Sequence, residues 1–382
     1  MLELRDPTTS RAVSREQWPV IGEWMRPPRT RADASGSLGV TQLIPLGMEH
    51  QMNTRSWRRF VIILGTLAFG GVSINSIADP AGGTVTEAAA RFLQTLSAEQ
   101  RNVTVYEFDD PERFAFRWTP GRRSGITLGA LSAGQNDALK ALMHHIVSHA
   151  GQERVDAILA AEAALGVLTS SPEYRDPRLY YTTVFGAPRH GQRWGLRFEG
   201  HHLSINMTFV GERIVSASPL FLGANPETIP EGPDKGLRPL GIQVDLARQA
   251  FAALSTLQKK LASGSNEWFA GFLTSAGSRR AKLGKPAGIS VLNASPDAQK
   301  QLKLLVADYV RTITERYADG YMEWFLREEW PTLYFFWNGG ANRGETYYWR
   351  LQGSRLLVEH DGLEGGRHIH SIWRDAREDF GG

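Results

Sequence analysis

Histidines and carboxylates gather in a few short stretches of this chain, and metal binding is the chemistry they share. In "HIH", His368 and His370 stand two apart; on a strand both imidazoles leave the same face and reach toward one point. In "RFEGHHLSIN", His201 and His202 follow a glycine, while Glu359 precedes "HIH" by one short loop. His202, Glu359, His368 and His370 form the candidate metal set, suited to a divalent transition metal (Zn, Fe, Mn or Cu) with room left for substrate. Such an ion polarises a substrate oxygen or activates water or dioxygen. Glu162, Asn206 and Arg374 are the candidate catalytic residues for orientation and proton transfer, and Arg197, His201, Ser204 and Arg350 are the candidates for holding substrate.

Each assignment has a plainer counterpart. Glu162, in the apolar run "ILAAEAALG", needs a partner wherever it is buried, and Arg197 or a site residue can supply one. Glu199, placed across from His202, either fixes the tautomer of that imidazole or makes an ordinary cross-strand pair. Arg374 and Asp375 pair locally. His145 and His149 in "HHIVSH" have helical i, i+4 spacing but lack the glutamate of a zinc-protease motif, and they read as boundary histidines.

To position these groups the sequence must build hairpins. Placed without gaps, residues 181–206 match 334–359 at Tyr181, Gly186, Gly191, Arg197, Gly200 and Leu203, which fall on Tyr334, Gly339, Gly344, Arg350, Gly353 and Leu356. With Gly200-His201 and Gly353-Ser354 as two-residue turns, Phe198 faces Leu203 and Leu351 faces Leu356. Apolar residues then fill one face of each hairpin and polar residues the other. Helical patterns cover 86–96, 132–150 and roughly 153–165, then 245–262 and a long segment from Ser295-Pro296 past Tyr317, while "RFAFRW" (113–118) alternates as a strand. The class is α+β: one domain over 79–382 with two pseudo-symmetric antiparallel hairpin units packed against helices. The hairpins pack about an approximate twofold axis, so that their polar faces line a common cleft.

Composition narrows the function. The chain has 382 residues with a net charge of +3, and nine basic against six acidic residues in 1–78 leave 34 of each in the remainder. A neutral body removes the main argument for a nucleic-acid partner. There is no cysteine, so disulfides and thiolate chemistry are excluded. "MNTRSWRR" from Met52, the 13-residue apolar run Phe60–Val72 and the small residues ending at Ala78 read as a signal peptide over 52–78, too short for a permanent membrane anchor, which needs about 20 apolar residues. Residues 1–51 read as a non-native or disordered extension. The protein is expected in the periplasm or outside the cell, cleaved near Ala78; Arg58-Arg59 leaves the export route open. No P-loop, dinucleotide-binding or G-x-S-x-G pattern is present.

The segments "YYTTVFGAP", "WGLRFEGHHLSINMTF", "FLGANPE", "YYWRLQG" and "HIHSIWRDAREDFG" resemble the bacterial and fungal family of domain of unknown function 3500, over about Thr84 to Gly381. The resemblance brings no activity with it. The chain departs from the family pattern at "EHDGLEGGRHIH", where an Asn-rich loop is usual. Two functions remain. One is an exported metal-dependent hydrolase or oxidoreductase acting on a small molecule. The other is a non-catalytic module that binds a carbohydrate or other small ligand through the ring-rich set Trp324, Trp330, Tyr334, Trp337, Tyr347, Tyr348 and Trp349.

Overall fold

Alternation along the hairpin strands dictates the architecture, because every second side chain must find a core. The computed structural model describes residues 83–264, 272 and 278–382, and the expected extension and signal peptide lie outside them. Twelve strands form one mixed sheet among the described residues. The first unit comprises β3 (Tyr181–Phe185), β4 (Arg193–Gly200), β5 (Leu203–Val210) and β7 (Leu220–Ala224). The second comprises β9 (Tyr334–Gly339), β10 (Tyr347–Gln352), β11 (Leu356–Gly362) and β12 (His368–Asp375). β7 pairs with β12 at the centre, and the order runs β3-β4-β5-β7-β12-β11-β10-β9. Short strands β1 (Val105–Tyr106) and β8 (Ile289–Ser290) end the row, while β2 (Ile126–Thr127) and β6 (Arg213–Ser216) pair off the path.

Cross-strand partners correspond between the units: Arg197 faces Asn206 in the first, and Arg350 faces Glu359 at the superposed positions of the second. The register differs from expectation by one residue on each strand. Gly200 pairs with Leu203, so the turn residues are His201 and His202; likewise Gly353 donates its N–H to Leu356, leaving Ser354 and Arg355 at the tip. The apolar and polar faces survive this slip because it moves each pair by two positions in total. The glycines serve close approach rather than turn geometry. A Cβ at Gly200 would lie 2.6 Å from the Tyr180 ring, and one at Gly353 would lie 2.2 Å from the Glu329 carboxylate.

One sheet face carries Trp194, Leu196, Phe198, Ile205, Trp349, Leu351 and Val358 into a single core with α3 (Ala133–His144), α4 (His149–Leu168), α5 (Gly241–Ala252) and α7 (Pro296–Val310). Three long predicted helices are broken. Ser148 caps a new helix, so His145 and His149 do not share one, and His149 is exposed beside Glu153. Ser255 caps another, with Gln258 completing the capping box, which splits 245–262 into α5 and α6 (Thr256–Ala262). The segment after Ser295 divides similarly into α7 and α8 (Glu315–Trp324). The two inter-helix corners meet reciprocally: Ser148 N–H donates to Thr312 O, and Thr314 N–H donates to Ile146 O.

The opposite face is covered too, which overturns the expectation of an open polar cleft. Phe116 packs with Phe221, Ile372 and Phe380, flanked by Phe114 and Trp118. The "RFAFRW" segment is therefore a cover on the sheet: its first two residues close a 3-10 turn and the rest run outside any strand. Beneath it the charges are buried in pairs. Arg197 reaches Glu112 (2.6 Å) and Glu199 (2.7 Å), and Arg374 reaches Asp379 (2.6 Å). Among the described residues no helix is long and apolar enough to cross a membrane.

Candidate metal centre at the sheet seam

The first hairpin tip meets the start of β12 beside the seam, and this brings His202, His368 and His370 together. Their candidate donor atoms lie within 4.8 Å of one another. His202 takes a left-handed backbone (φ 62°), its N–H donating to Trp118 O and its carbonyl accepting from Gly223 N. Gly223 is needed for that approach, since a Cβ there would stand 2.9 Å from His202 Cδ2 and from Ile369 O. His202 Nε2 lies 2.9 Å from His368 Nε2. Two imidazole nitrogens at that separation either share one proton or turn both lone pairs on one ion; tetrahedral ligands at about 2.0 Å stand about 3.3 Å apart, so only a small opening is required.

His370 is oriented from behind. Its Nδ1 lies 3.1 Å from Asp361 Oδ1, and its backbone N–H donates to the same oxygen at 3.2 Å. With Nδ1–H given to a carboxylate, the Nε2 lone pair is left for a ligand, the arrangement by which acidic residues fix metal-binding histidines. His368 Nδ1 is 3.6 Å from Glu364. Burial holds His202 well below the ordinary imidazole pKa, reinforced by His201, His370 and His368. Burial, then His370, lowers His368 against the pull of Glu364. Neutral imidazoles are the ligand-competent form.

A second group, Glu162, His201 and His202, shares His202 with the first. Its chemistry differs because a cation is already present. Glu162 Oε2 is 2.5 Å from His201 Nδ1, and Arg175 Nη1 is 2.8 Å from that nitrogen and 3.2 Å from Nε2. One nitrogen cannot donate to a carboxylate and accept from a guanidinium. The shorter contact assigns the proton to Nδ1, donated to Glu162, and Arg175 then donates to Nε2 while lying 3.6 Å from Glu162 Oε1. Burial lowers His201 while hydrogen bonding to Glu162 raises it. Tyr180 O–H donates to the His201 carbonyl. Glu162 and His201 also line a cavity of about 310 Å³ with Arg122, Tyr174 and Tyr181.

The remaining predicted residues are dispersed. Glu359 accepts from Tyr348 O–H at 2.6 Å, and it is Asp361, two residues along the same face, that meets His370. Asn206 donates to Ser204 Oγ (3.0 Å) and Pro219 O (2.9 Å), and both Asn206 and Ser204 are buried under the cover. Arg374 is bound by Asp379 and Ser278 O, so its pairing with Asp375 is replaced; Asp375 pairs with Arg355. Arg197 holds Glu112 and Glu199 rather than Glu162, and Glu199 lies opposite Ser204, not His202. Arg350 is buried with its guanidinium 5.5 Å from the Phe336 ring centre. None of Asn206, Ser204, Arg197, Arg350 or Arg374 offers an exposed surface to a substrate. Sequence reasoning missed Asp361 and Arg175. Counting by twos from Glu359 would have reached Asp361, whereas nothing local marks Arg175.

A family profile described as "Protein of unknown function (DUF3500)" matches residues 80–382. The chain belongs to the DUF3500 family. No curated protein and no solved structure matches it. The departure from the family pattern noted in "EHDGLEGGRHIH" supplies Asp361 and Glu364, so it falls on the histidine cluster itself.

Proposed function

We propose that this DUF3500 protein is exported and acts as a metal-dependent hydrolase or oxidoreductase on a small molecule, with one divalent transition-metal ion on His202, His368 and His370. The observation that carries the reading is the convergence of three imidazoles from two distant chain segments, with Asp361 orienting one of them. Three nitrogen donors favour zinc, copper or iron over manganese. Bound there, the ion would supply Lewis acidity toward a substrate oxygen or water. The chain's own contribution is to hold His202 neutral by burial, to aim His370 through Asp361, and to place the Glu162–His201 pair, which lines a cavity, next in sequence to His202.

Elemental analysis and metal titration of wild type, His368→Ala and His370→Ala test the reading. Near one equivalent in wild type and at least about tenfold weaker binding in both variants is expected. Equal, negligible metal in three folded proteins would refute it. Export is tested separately by N-terminal sequencing of protein from its native host: a start near Asp79 supports it, and a cytoplasmic chain retaining Phe60–Val72 overturns it.

Of the rings expected to serve the alternative module, Trp330, Trp337, Tyr347, Tyr348 and Trp349 are buried in the core, whereas Trp324 and Tyr334 remain partly exposed.

A further inference from the structure

A cavity of about 790 Å³ has none of the clustered histidines in its wall. That volume is within the range of small-ligand pockets, roughly 300–1,000 Å³. One wall is a face of α8, where Tyr317, Tyr321 and Trp324 recur at i, i+4 and i+7 and remain partly exposed. Their rings follow one another at 6.0 and 5.1 Å between centres, and the Arg355 guanidinium sits 4.5 Å from the Trp324 ring centre. The Tyr321 hydroxyl is buried and has no hydrogen-bond partner among the described residues.

Charge at the rim is unbalanced. Glu378 pairs with Arg355 at 3.0 Å, and Glu212 accepts from Thr86 at 2.6 Å and lies 3.4 Å from His190. Arg213 and Arg316 line the same cavity and have no side-chain partner among the described residues. Three guanidiniums, Arg213, Arg316 and Arg355, thus stand against two carboxylates in the wall.

We infer that this cleft is a second ligand site, independent of the histidine cluster, for an oligosaccharide that carries carboxylates. Ring faces along α8 stack on the sugars, and Arg213 and Arg316 take the carboxylates. A neutral sugar leaves the two cations unmatched, and a flexible polyanion leaves the rings unmatched.

Isothermal titration calorimetry of the full chain with trigalacturonate, maltotriose and triglutamate separates these contributions. Trigalacturonate is expected to bind at least about tenfold tighter than either of the others. The double variant Arg213→Glu/Arg316→Glu, at two exposed positions, and the single variant Trp324→Ala should each weaken trigalacturonate at least about tenfold. His368→Ala should leave this binding unchanged whatever it does to metal content. Absence of heat with trigalacturonate at millimolar concentration, equal binding of maltotriose or triglutamate, or an unaltered affinity in the folded double variant would each overturn the inference.

Discussion

At the tip of the first hairpin, between β4 and β5, Glu162 and Arg175 hold the His201 imidazole while His202 reaches His368; at the tip of the second, between β10 and β11, the aligned positions are Ser354 and Arg355, and Glu329 holds them. Both glutamates are buried. Glu329 accepts from Arg355 N (2.8 Å), Leu356 N (2.8 Å) and Ser354 Oγ (2.7 Å), so its carboxylate is consumed by the turn it fixes. Glu162 instead bonds an ionisable ring beside a cavity. The same backbone device thus serves stability at one end of the sheet and leaves titratable chemistry at the other.

The sharpest break in that comparison is Glu329→Ala. With three donors stranded at a buried turn, it should cost about 3–5 kcal/mol in urea unfolding while leaving metal stoichiometry unchanged. A loss of metal along with stability would mean the two tips are not separable.

Acid stability comes next. His360, in β11, is held by burial at a pKa of about 3, with Tyr347 O–H 3.0 Å from its Nε2; the superposed residue of the first unit is Met207. The folded value lies below the unfolded one, about 6.5, so stability is full above that pH and is lost as the pH falls toward 3, at up to about 1.4 kcal/mol per unit for this group. His360→Gln should flatten the dependence of Tm on pH between 7 and 4. An acid limb parallel to wild type would assign the lability elsewhere.

Gly223→Ala tests the crowding at the first tip. Displacing His202 should cost about 1–3 kcal/mol and weaken metal binding, both measurable in one titration series. Unchanged metal affinity would show that the ring tolerates displacement. Glu162→Gln removes the charge beside Arg175 and should destabilise by about 1–2 kcal/mol with metal content retained, because the guanidinium rather than an ion occupies that group. If metal disappears with Glu162, the ion belongs to the other triad. His149→Ala, at an exposed pair outside both tips, should alter neither thermal melting nor metal content.

Much of this was legible from alternation. The division of Phe198, Leu196 and Trp194 from Arg197 and Glu199 survived a wrong register, because a slip of one residue on both strands preserves faces. What the glycines meant was not legible. Gly200 and Gly353 look like turn formers, yet they make space for the Tyr180 ring and the Glu329 carboxylate, contacts made by residues outside the hairpins. The same slip put His202 in the turn, where it can reach across to β12. The cover formed by Phe114, Phe116 and Trp118 was misread as a strand because alternation records which residues are buried, not whether a ladder partner exists. Helix breaks at Ser148 and Ser255 were signalled by capping residues but outweighed by continuous apolar periodicity.

The central pairing of β7 with β12 has a consequence for how the molecule comes into being. His202 and His368 are separated by 166 positions in the chain, and the strand that carries His368 and His370 is the last of the twelve described strands in chain order. Closing a loop of that span is among the slower events in folding, since its entropy must be spent before the contact returns anything. A nascent chain ending at Ala224 already carries Glu162 and Arg175 for His201, but it has neither of the imidazoles that meet the His202 ring in the donor set. The donor set can therefore arise only after the final strand has docked, and an ion bound there would fasten a finished sheet instead of templating one.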